Sequence, residues 1–323
     1  MTSDAAKPAQ KLAPPNGAQP LRISWFDATG IVAIHLVALL ALVPWFFSWT
    51  GVVLAMVGLY VIGTLGIGLC FHRLLTHRGF VCPKWLEYSL AILGVCALQD
   101  TPARWVATHR RHHTHADEQS DPHSPLVNFF WGHMGWLMFR NRELTRITLC
   151  ERYARDLLNE PFYARLEKKM FWLRVVLLSW ALFFIGGFAA ELLMGGTLGE
   201  ALQFGLSVLV WGVFARTVVA WHVTWSVNSV THLWGYRNYN TGESSRNNLV
   251  VGYLAFGEGW HNNHHAHPRS AQHGHMWWEF DGTWLTIRLL EMLGLATKVI
   301  GARSQSAARQ LSAQIIPVPT DRV

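Results

Sequence analysis

Long apolar segments alternate with polar ones along the chain, and four of the apolar segments are long enough to cross a bilayer. A hydrocarbon core of about 30 Å needs roughly 20 apolar residues in an α-helix. Such segments occupy about residues 29–47, 52–71, 171–190 and 201–225. The pattern therefore predicts an all-α integral membrane protein with four transmembrane helices. We expect a shorter apolar stretch, at about 88–98, to lie at the interface or to be buried under the polar part of the protein.

The polar segments divide the chain into a central domain and two tails. Residues 1–22 are rich in Ala, Pro and Lys, which predicts a disordered N-terminal tail. We expect residues 301–323 to form a flexible C-terminal tail. Residues 23–300 then form one membrane domain, in which 72–170 and 226–300 supply a helical cap outside the bilayer.

The charges predict an orientation for this domain. Only 15% of the residues are charged, against about 25% in an ordinary soluble domain. The connectors 48–51 and 191–200 contain no Lys or Arg, whereas about half of the 27 lysines and arginines lie between residues 72 and 171. By the positive-inside rule, both termini and the cap face the cytoplasm. This orientation explains the net charge of +7. Nucleic acid is not an expected partner, because no basic helix or known binding module is present.

Nine of the 17 histidines fall into four short clusters, which are the strongest chemical signal in the chain. The clusters read HRLLTH, HRRHH, NSVTH and HNNHH, and their histidines are His72, His77, His109, His112, His113, His232, His261, His264 and His265. Neutral imidazole binds zinc, copper, iron and nickel, and nine ligands exceed the coordination number of one ion. Each cluster follows an even number of crossings, so all nine fall on one side of the membrane. No Cys lies in a cluster, which excludes a typical structural zinc finger, and we assign the four cysteines no role.

The spacing inside the clusters predicts how they share their ligands. Helix positions i, i+3 and i+4 lie on one face, so His109, His112 and His113 converge. Adjacent residues differ by about 100° in direction, so His112 and His113 reach toward different points, as a two-metal site requires. HNNHH repeats this arrangement. His72 and His77 lie about 140° apart on a regular helix, so we expect the helix to fray near His77. Spacing alone does not choose between zinc and iron.

Other polar residues near the clusters are expected to support the ligands. Carboxylates orient metal-bound imidazoles, and the candidates are Asp117, Glu118, Asp121 and Glu258, with Glu258 first. We expect the histidines outside the clusters to lie near the ligands or on the surface; they include His115, His123, His133, His267, His273 and His275. Within the spans, His35 is interpreted as a hydrogen-bonded core histidine. Arg216 is expected to face a cavity or a neighbouring carbonyl.

In their sequence context, the clusters resemble the histidine boxes of the membrane fatty-acid desaturases. HRLLTH, HRRHH, NSVTHLWGYR and GEGWHNNHH carry the resemblance, which covers about residues 25–300 and is closest to the delta-9 branch of stearoyl-CoA and cyanobacterial acyl-lipid enzymes. It implies a diiron centre, molecular oxygen as co-substrate, and a cis double bond introduced into a saturated acyl chain. The resemblance assigns one iron to His72, His77, His109 and His113, with Asn228 assisting through a water. It assigns the other iron to His112, His232, His261, His264 and His265.

The resemblance also implies a substrate tunnel and external partners. An apolar tunnel, bent beside the metals, selects one pair of methylene carbons by position, and Trp105, Thr224 and Trp225 are candidate lining residues. The chain contains no ferredoxin cysteine motif, dinucleotide fingerprint or haem domain. Electrons are therefore expected from a separate carrier, such as ferredoxin or a small cytochrome with its reductase. Acyl-CoA and acyl-lipid both remain possible substrates.

Two other functions compete with desaturation. A membrane fatty-acid or alkane hydroxylase uses the same metal architecture, and the NSVTHLWGYR and GEGWHNNHH contexts favour desaturation over it. A histidine-rich metal transporter places its ligands near the bilayer midplane. Here eight of the nine histidines lie outside the predicted spans and His72 lies at a span end, which argues against transport.

Overall fold

The computed structural model describes residues 11–302, and this part of the chain is helical, with isolated β-bridges and no strand. The helices are Asn16–Ala18, Trp25–Ala38, Leu39–Leu42, Pro44–Phe46, Trp49–Gly58, Leu59–Thr76, Lys84–Val95, Pro102–His115, Trp131–Gly135, Trp136–Met138, Arg142–Leu144, Arg146–Tyr153, Arg155–Leu158, Pro161–Glu167, Phe171–Leu193, Leu198–Leu209, Val210–Ala215, Arg216–Leu233, Leu249–Leu254, His261–Ala266 and Gly282–Met292. Leu59–Thr76, Trp131–Gly135 and Val210–Ala215 are π-helical.

Four helical segments are long and apolar enough to cross a membrane, which confirms the predicted fold class. We call them the first to fourth spans: Trp25–Leu42, Trp49–Thr76, Phe171–Leu193 and Leu198–Leu233. The second and fourth contain 28 and 36 residues, more than the roughly 20 residues with which an α-helix crosses the hydrocarbon core. Their ends therefore project from the bundle and carry side chains into the cap.

The first span ends earlier than its apolar pattern predicts. The apolar segment continues to residue 47, but the helix stops at Leu42. Pro44 explains the stop, because a residue before proline is excluded from helical backbone angles. Val43 is accordingly extended, with φ −86° and ψ 121°.

The second span is the central element of the fold. Its residues 66–76 are buried without interruption, and the helix Lys84–Val95 packs against it. A Cβ atom on Gly66 would lie 2.6 Å from the backbone nitrogen of Gly94, so the two backbones approach to a distance that only glycine allows. The predicted short apolar stretch is therefore buried against a span, with Leu90, Ala91 and Val95 in the core.

The N-terminal segment is ordered where the structure describes it. The predicted tails fall partly on residues 1–10 and 303–323, which lie outside the described residues. Residues 11–22 instead pack on the cap: the Leu12 amide donates to the Leu126 carbonyl at 3.1 Å, and Ala18 is buried beside Val127 and Trp131. The predicted disorder does not extend to this part, because an apolar cluster and backbone hydrogen bonds hold it in place.

The polar residues inside the spans make contacts between helices. His35 contacts the Ile31 carbonyl at 2.7 Å and Nε2 of His222 at 3.1 Å, as expected for a hydrogen-bonded core histidine. His222 in turn contacts His133 at 2.9 Å. The buried Arg216 donates to its neighbour Thr217, and its guanidinium lies 5.8 Å from the ring centroid of Phe183.

Candidate metal centre

Helix ends and cap helices bring all nine cluster histidines together in two adjoining groups. The first group consists of His72, His77, His109, His113 and His264. The second group consists of His112, His232, His261 and His265. Within each group, one ring nitrogen per residue lies within 4.8 Å of every other. The groups adjoin directly, since the rings of His113 and His265 are 4.5 Å apart. The structure therefore has the two-site arrangement that the spacing predicts.

The two HxxHH clusters divide their histidines between the groups in a reciprocal way. The helix Pro102–His115 gives its i and i+4 residues, His109 and His113, to the first group and its i+3 residue, His112, to the second. The helix His261–Ala266 does the reverse, because its i+3 residue is the one in the first group. Each residue turns the side-chain direction by about 100° around the helix axis, so residues i+3 and i+4 point to opposite sides of the direction of residue i. The histidines of one helical turn can therefore reach both groups.

This reciprocity corrects the ligand assignment that the family resemblance implied. His264 was expected with the second group, but its Nε2 lies 2.9 Å from Nε2 of His113 and 3.1 Å from Nε2 of His72. Asn228 was expected with the first group. It lies one helical turn before His232 on the same helix, so we expect its side chain on the face that serves the second group.

A π-turn, not fraying, brings His72 and His77 together. The helix from Leu59 to Thr76 is π-helical, and the His77 amide donates to the His72 carbonyl at 3.1 Å. This hydrogen bond between residues i and i+5 is the π-helical pattern. It places residues that are five apart in sequence above one another on one side of the helix. The two ring centroids are 4.9 Å apart. The HxxxxH spacing was the sequence signal for this turn.

Carboxylates determine which ring nitrogen of several imidazoles carries the proton. Nδ1 of His112 lies 3.0 Å from both oxygens of Asp121, and Nδ1 of His232 lies 3.0 Å from Asp117. Glu258 accepts from Nδ1 of His72. A proton held on Nδ1 leaves the lone pair on Nε2, the arrangement that metal-binding imidazoles require.

The Nε2 atoms of the grouped rings face one another at short distances. Nε2 of His261 lies 3.0 Å from Nε2 of both His232 and His265. Nε2 of His77 and of His112 are buried without a hydrogen-bond partner among residues 11–302. Burial lowers the pKa of His109, His113 and His264 well below the ordinary value, so these rings are neutral. Neutral imidazole nitrogens that converge in this way are suitable ligands for one ion, so the donor set fits a metal ion in each group.

Three of the four predicted supporting carboxylates contact cluster histidines, the fourth does not, and one further carboxylate was not predicted. Asp117, Asp121 and Glu258 contact ligand rings as described above. Glu118 instead pairs with His115 at 3.1 Å on the surface. Glu243 was missed by the sequence reasoning: it lies 3.6 Å from Nδ1 of His265, and its position in a polar loop gave no spacing signal.

Glu258 belongs to a buried network that the sequence did not reveal. Arg73 donates to Oε1 of Glu258 through Nε at 3.0 Å and Nη2 at 2.8 Å, and through Nη1 to Asp281 at 3.0 Å. Asp281 also caps the helix Gly282–Met292 by accepting from the Trp284 amide at 2.8 Å. Burial raises the pKa of Glu258, but the charge of Arg73 and the hydrogen bonds from Arg73 and His72 outweigh it and keep this carboxyl ionised.

Two further buried histidines lie next to the groups, one beside each. The ring of His273 is 4.5 Å from that of His264, and its Nδ1 is 3.6 Å from Glu258. The ring of His123 is 4.4 Å from that of His112. Both were expected near the ligands or on the surface, and both prove to be buried beside ligands.

Of the candidate tunnel residues, Trp105 lies against the first group, and Thr224 and Trp225 lie in the fourth span. Trp105 stacks on His109 at 5.1 Å between ring centroids, and Thr224 accepts a hydrogen bond from Nε2 of Gln99 at 2.9 Å. Trp225 is buried in an aromatic cluster with Trp221, at 5.4 Å.

The fold and the site together define a helical membrane protein with two adjoining, all-imidazole groups, each of which could hold a metal ion. The sequence profile of the family described as fatty acid desaturase matches residues 44–284, and the chain belongs to this family. It is 43% identical over 278 residues to the sn-1 stearoyl-lipid 9-desaturase of Anabaena variabilis, covering 86% of this chain and 94% of that protein.

Two other relatives have different positional or carrier specificity in their names. The sn-2 palmitoyl-lipid 9-desaturase of Nostoc sp. (strain 36) is 39% identical over 297 residues, which cover 92% of this chain and 96% of that protein. The icosanoyl-CoA 5-desaturase of Limnanthes douglasii is 40% identical over 274 residues, which cover 84% of this chain and 71% of that protein.

Proposed function

We propose that this protein is an acyl-lipid 9-desaturase, which introduces a cis double bond into a saturated chain esterified to a membrane lipid. The observation that carries the proposal is the pair of adjoining imidazole groups in a chain so similar to two lipid 9-desaturases. Lipid is the proposed carrier because the relatives named for it are matched over nearly their whole length. Residues 23–300 would form the membrane domain.

Iron is the proposed metal in both groups, with molecular oxygen as the oxidant. A methylene in mid-chain has no polar handle, so acid–base groups alone do not remove its hydrogens. Iron and oxygen supply the oxidising power for that step, chemistry that no side chain offers. The nine histidines would be the protein ligands, five for one iron and four for the other, and Asn228 would hold a water beside the second group.

The side chains around the groups would provide position and exclude water. The Nδ1–carboxylate pairs fix the ring orientations of His72, His112 and His232. Trp105 presents its ring beside His109, and the hydrogen bond from Gln99 fixes Thr224. We propose that Trp105 and Thr224 flank the bend of the acyl tunnel, and that Trp225 supports it from the aromatic cluster. A chain held in this way presents one carbon pair to the metals.

The proposed partners and location follow from the charges and from the chemistry. Two electrons per double bond would come from a separate carrier, a ferredoxin or a small cytochrome with its reductase. The distribution of lysines and arginines supports a cytoplasmic position for both termini and for the metal centre. The cytoplasmic membrane of a bacterium is the proposed location.

Expression in a host that lacks desaturases tests the proposal. Wild-type protein should produce a Δ9 monounsaturated chain in the glycerolipids, measured by gas chromatography and mass spectrometry of separated lipid classes and of the acyl-CoA pool. His112→Ala should reach the membrane in equal amount and yield no unsaturation, because the second group loses a ligand. A hydroxylated product would favour the hydroxylase instead, and unsaturation that appears first in acyl-CoA would contradict the lipid carrier.

A further inference from the structure

The cap carries a continuous apolar surface on the side of the second span. We call it the apolar apron, and it consists of the helix Leu249–Leu254, the loop 276–280 and the helix Gly282–Met292. Its most exposed large side chains are Leu249, Val250, Leu254, Trp277, Leu285 and Met292. Trp277 is 92% exposed and Met292 is 74% exposed. Exposed apolar patches of this kind mark surfaces that another phase or molecule covers.

The apron is joined to the second span at mid-membrane depth. The Tyr60 hydroxyl lies 2.6 Å from the Thr286 hydroxyl, and the Tyr60 ring lies 5.4 Å from that of Phe256, between the two apron helices. Tyr60 is eleven residues from the start of the second span, or about 16 Å along an α-helix, roughly half the thickness of a hydrocarbon core. The lipid-facing surface of the span and the apron are therefore one continuous surface.

Ionisable groups on the apron are paired or turned inward. Arg288 and Glu291, which lie in the second apron helix, pair with each other. Glu279 points into the cap, where it accepts from the amides of His275 at 2.6 Å and Met276 at 2.9 Å. The first apron helix, LVVGYL, has no charge. A surface loop in water shows the opposite arrangement, with charge outside and apolar groups inside.

We propose that the apolar apron is embedded in the bilayer, with lipid acyl chains covering its helices and Trp277 at the headgroup level. Tryptophan is enriched at that level, and continuity with the lipid-facing second span identifies lipid as the occupant. The part of the cap that contains the apron, which the sequence placed outside the membrane, is thus partly inside it. The proposal concerns the membrane boundary and is independent of the reaction at the metals.

Cysteine accessibility in the full-length protein, reconstituted in lipid nanodiscs, tests the proposal. Leu254→Cys probes the apron, Leu182→Cys is the lipid control and Glu118→Cys is the aqueous control. In the protein alone, Leu254 is 60% exposed and Leu182 is 62% exposed, and Glu118 is also exposed. The native cysteines are all buried and contribute little background. A charged maleimide should label Leu254→Cys about a hundredfold more slowly than Glu118→Cys, because charge is excluded from hydrocarbon, and at the same rate as Leu182→Cys.

A second measurement separates lipid from a protein occupant. A nitroxide on Leu254→Cys or Met292→Cys should collide with oxygen, which concentrates in lipid, and not with a water-soluble nickel chelate. Labelling as fast as at Glu118→Cys would overturn the proposal. Protection from both oxygen and the chelate would also overturn it, because a protein surface would then cover the apron. Two apron sites guard against a single variant that misfolds.

Discussion

Glu258→Gln perturbs one metal group without removing any proposed ligand. The Glu258 carboxylate accepts from Nδ1 of His72 on one oxygen and from Arg73 on the other. An amide of nearly the same shape has one acceptor oxygen and one donor nitrogen. Whichever way it turns, the nitrogen faces either the Nδ1–H of His72 or the guanidinium of Arg73, so one of the two contacts becomes donor against donor.

The expected magnitude follows from the role of the lost contact. Removing an outer partner of a metal-bound histidine typically weakens metal binding by about 10- to 100-fold, or about 1.4–2.8 kcal/mol. Arg73 keeps its bond to Asp281 at 3.0 Å, so the cap should stay folded. The loss should be confined to the first group, because the second group uses Asp117 and Asp121 for the same purpose.

A competitive chelator titration of the purified protein measures this effect. Of the two metal-binding steps, one should weaken by the stated factor and the other should stay unchanged. Asp121→Asn should weaken the other step, and Glu118→Gln, which alters a surface carboxylate, should change neither. Unchanged metal affinity in Glu258→Gln would show that the Glu258 carboxylate does not support metal binding through Nδ1 of His72. Equal weakening of both steps with a lowered melting temperature would show that Glu258 acts on folding and not on one group.

Three further predictions test the ligand division, the tunnel and the packing of the bundle. His264→Ala should lower the iron content of the first group and leave the second group occupied, as measured by spectra of the iron-loaded protein. Loss of iron from the second group instead would place His264 with that group, as the family resemblance implied. Trp105→Ala and Thr224→Ala should shift or broaden the double-bond position, as read from mass spectra of the product, and unchanged position and rate in both would count against the tunnel bend. Gly66→Ala should lower the melting temperature strongly, because its Cβ would lie 2.6 Å from backbone, whereas Gly186→Ala, with nothing within 4 Å, should have little effect; similar melting temperatures for the two would contradict the close packing.

The four spans and the nine clustered histidines were predictable because each depends on a local signal. A bilayer sets the length of an apolar helix directly, and hydropathy along the chain reports that length. Clustered imidazoles have few structural uses, so nine of them in four clusters indicate metal binding. The division of Pro102–His115 between two groups was also predictable, since one straight helix fixes the directions of His109, His112 and His113.

The group of His264 depends on how a short helix is rotated, which the sequence does not reveal. Asn247 holds the helix His261–Ala266 by accepting from the amides of Asn262 at 3.0 Å and Asn263 at 3.2 Å. These contacts turn His264 toward the first group. No periodicity in the sequence links Asn247 to that helix, so the assignment taken from the family resemblance was wrong at this residue.

The supporting network around Glu258 escaped prediction for a related reason. Arg73 and Asp281 are about two hundred residues apart in sequence and meet only after the bundle and cap have packed together. The π-turn at His77 and the early end of the first span at Pro44 had local signals, an i, i+5 spacing and a proline. Hydropathy alone placed the helix Gly282–Met292 in the extramembrane cap, because eleven residues are too few to span a bilayer.

We expect desaturation to depend on a pair of irons held by the two imidazole groups. The most direct test removes all metal from purified, reconstituted protein, adds back ferrous iron in steps and measures iron per chain together with unsaturation of a lipid substrate. Activity should rise as occupancy approaches two irons per chain, and zinc should occupy the same groups without restoring activity. Full activity in protein that carries no iron would contradict this expectation.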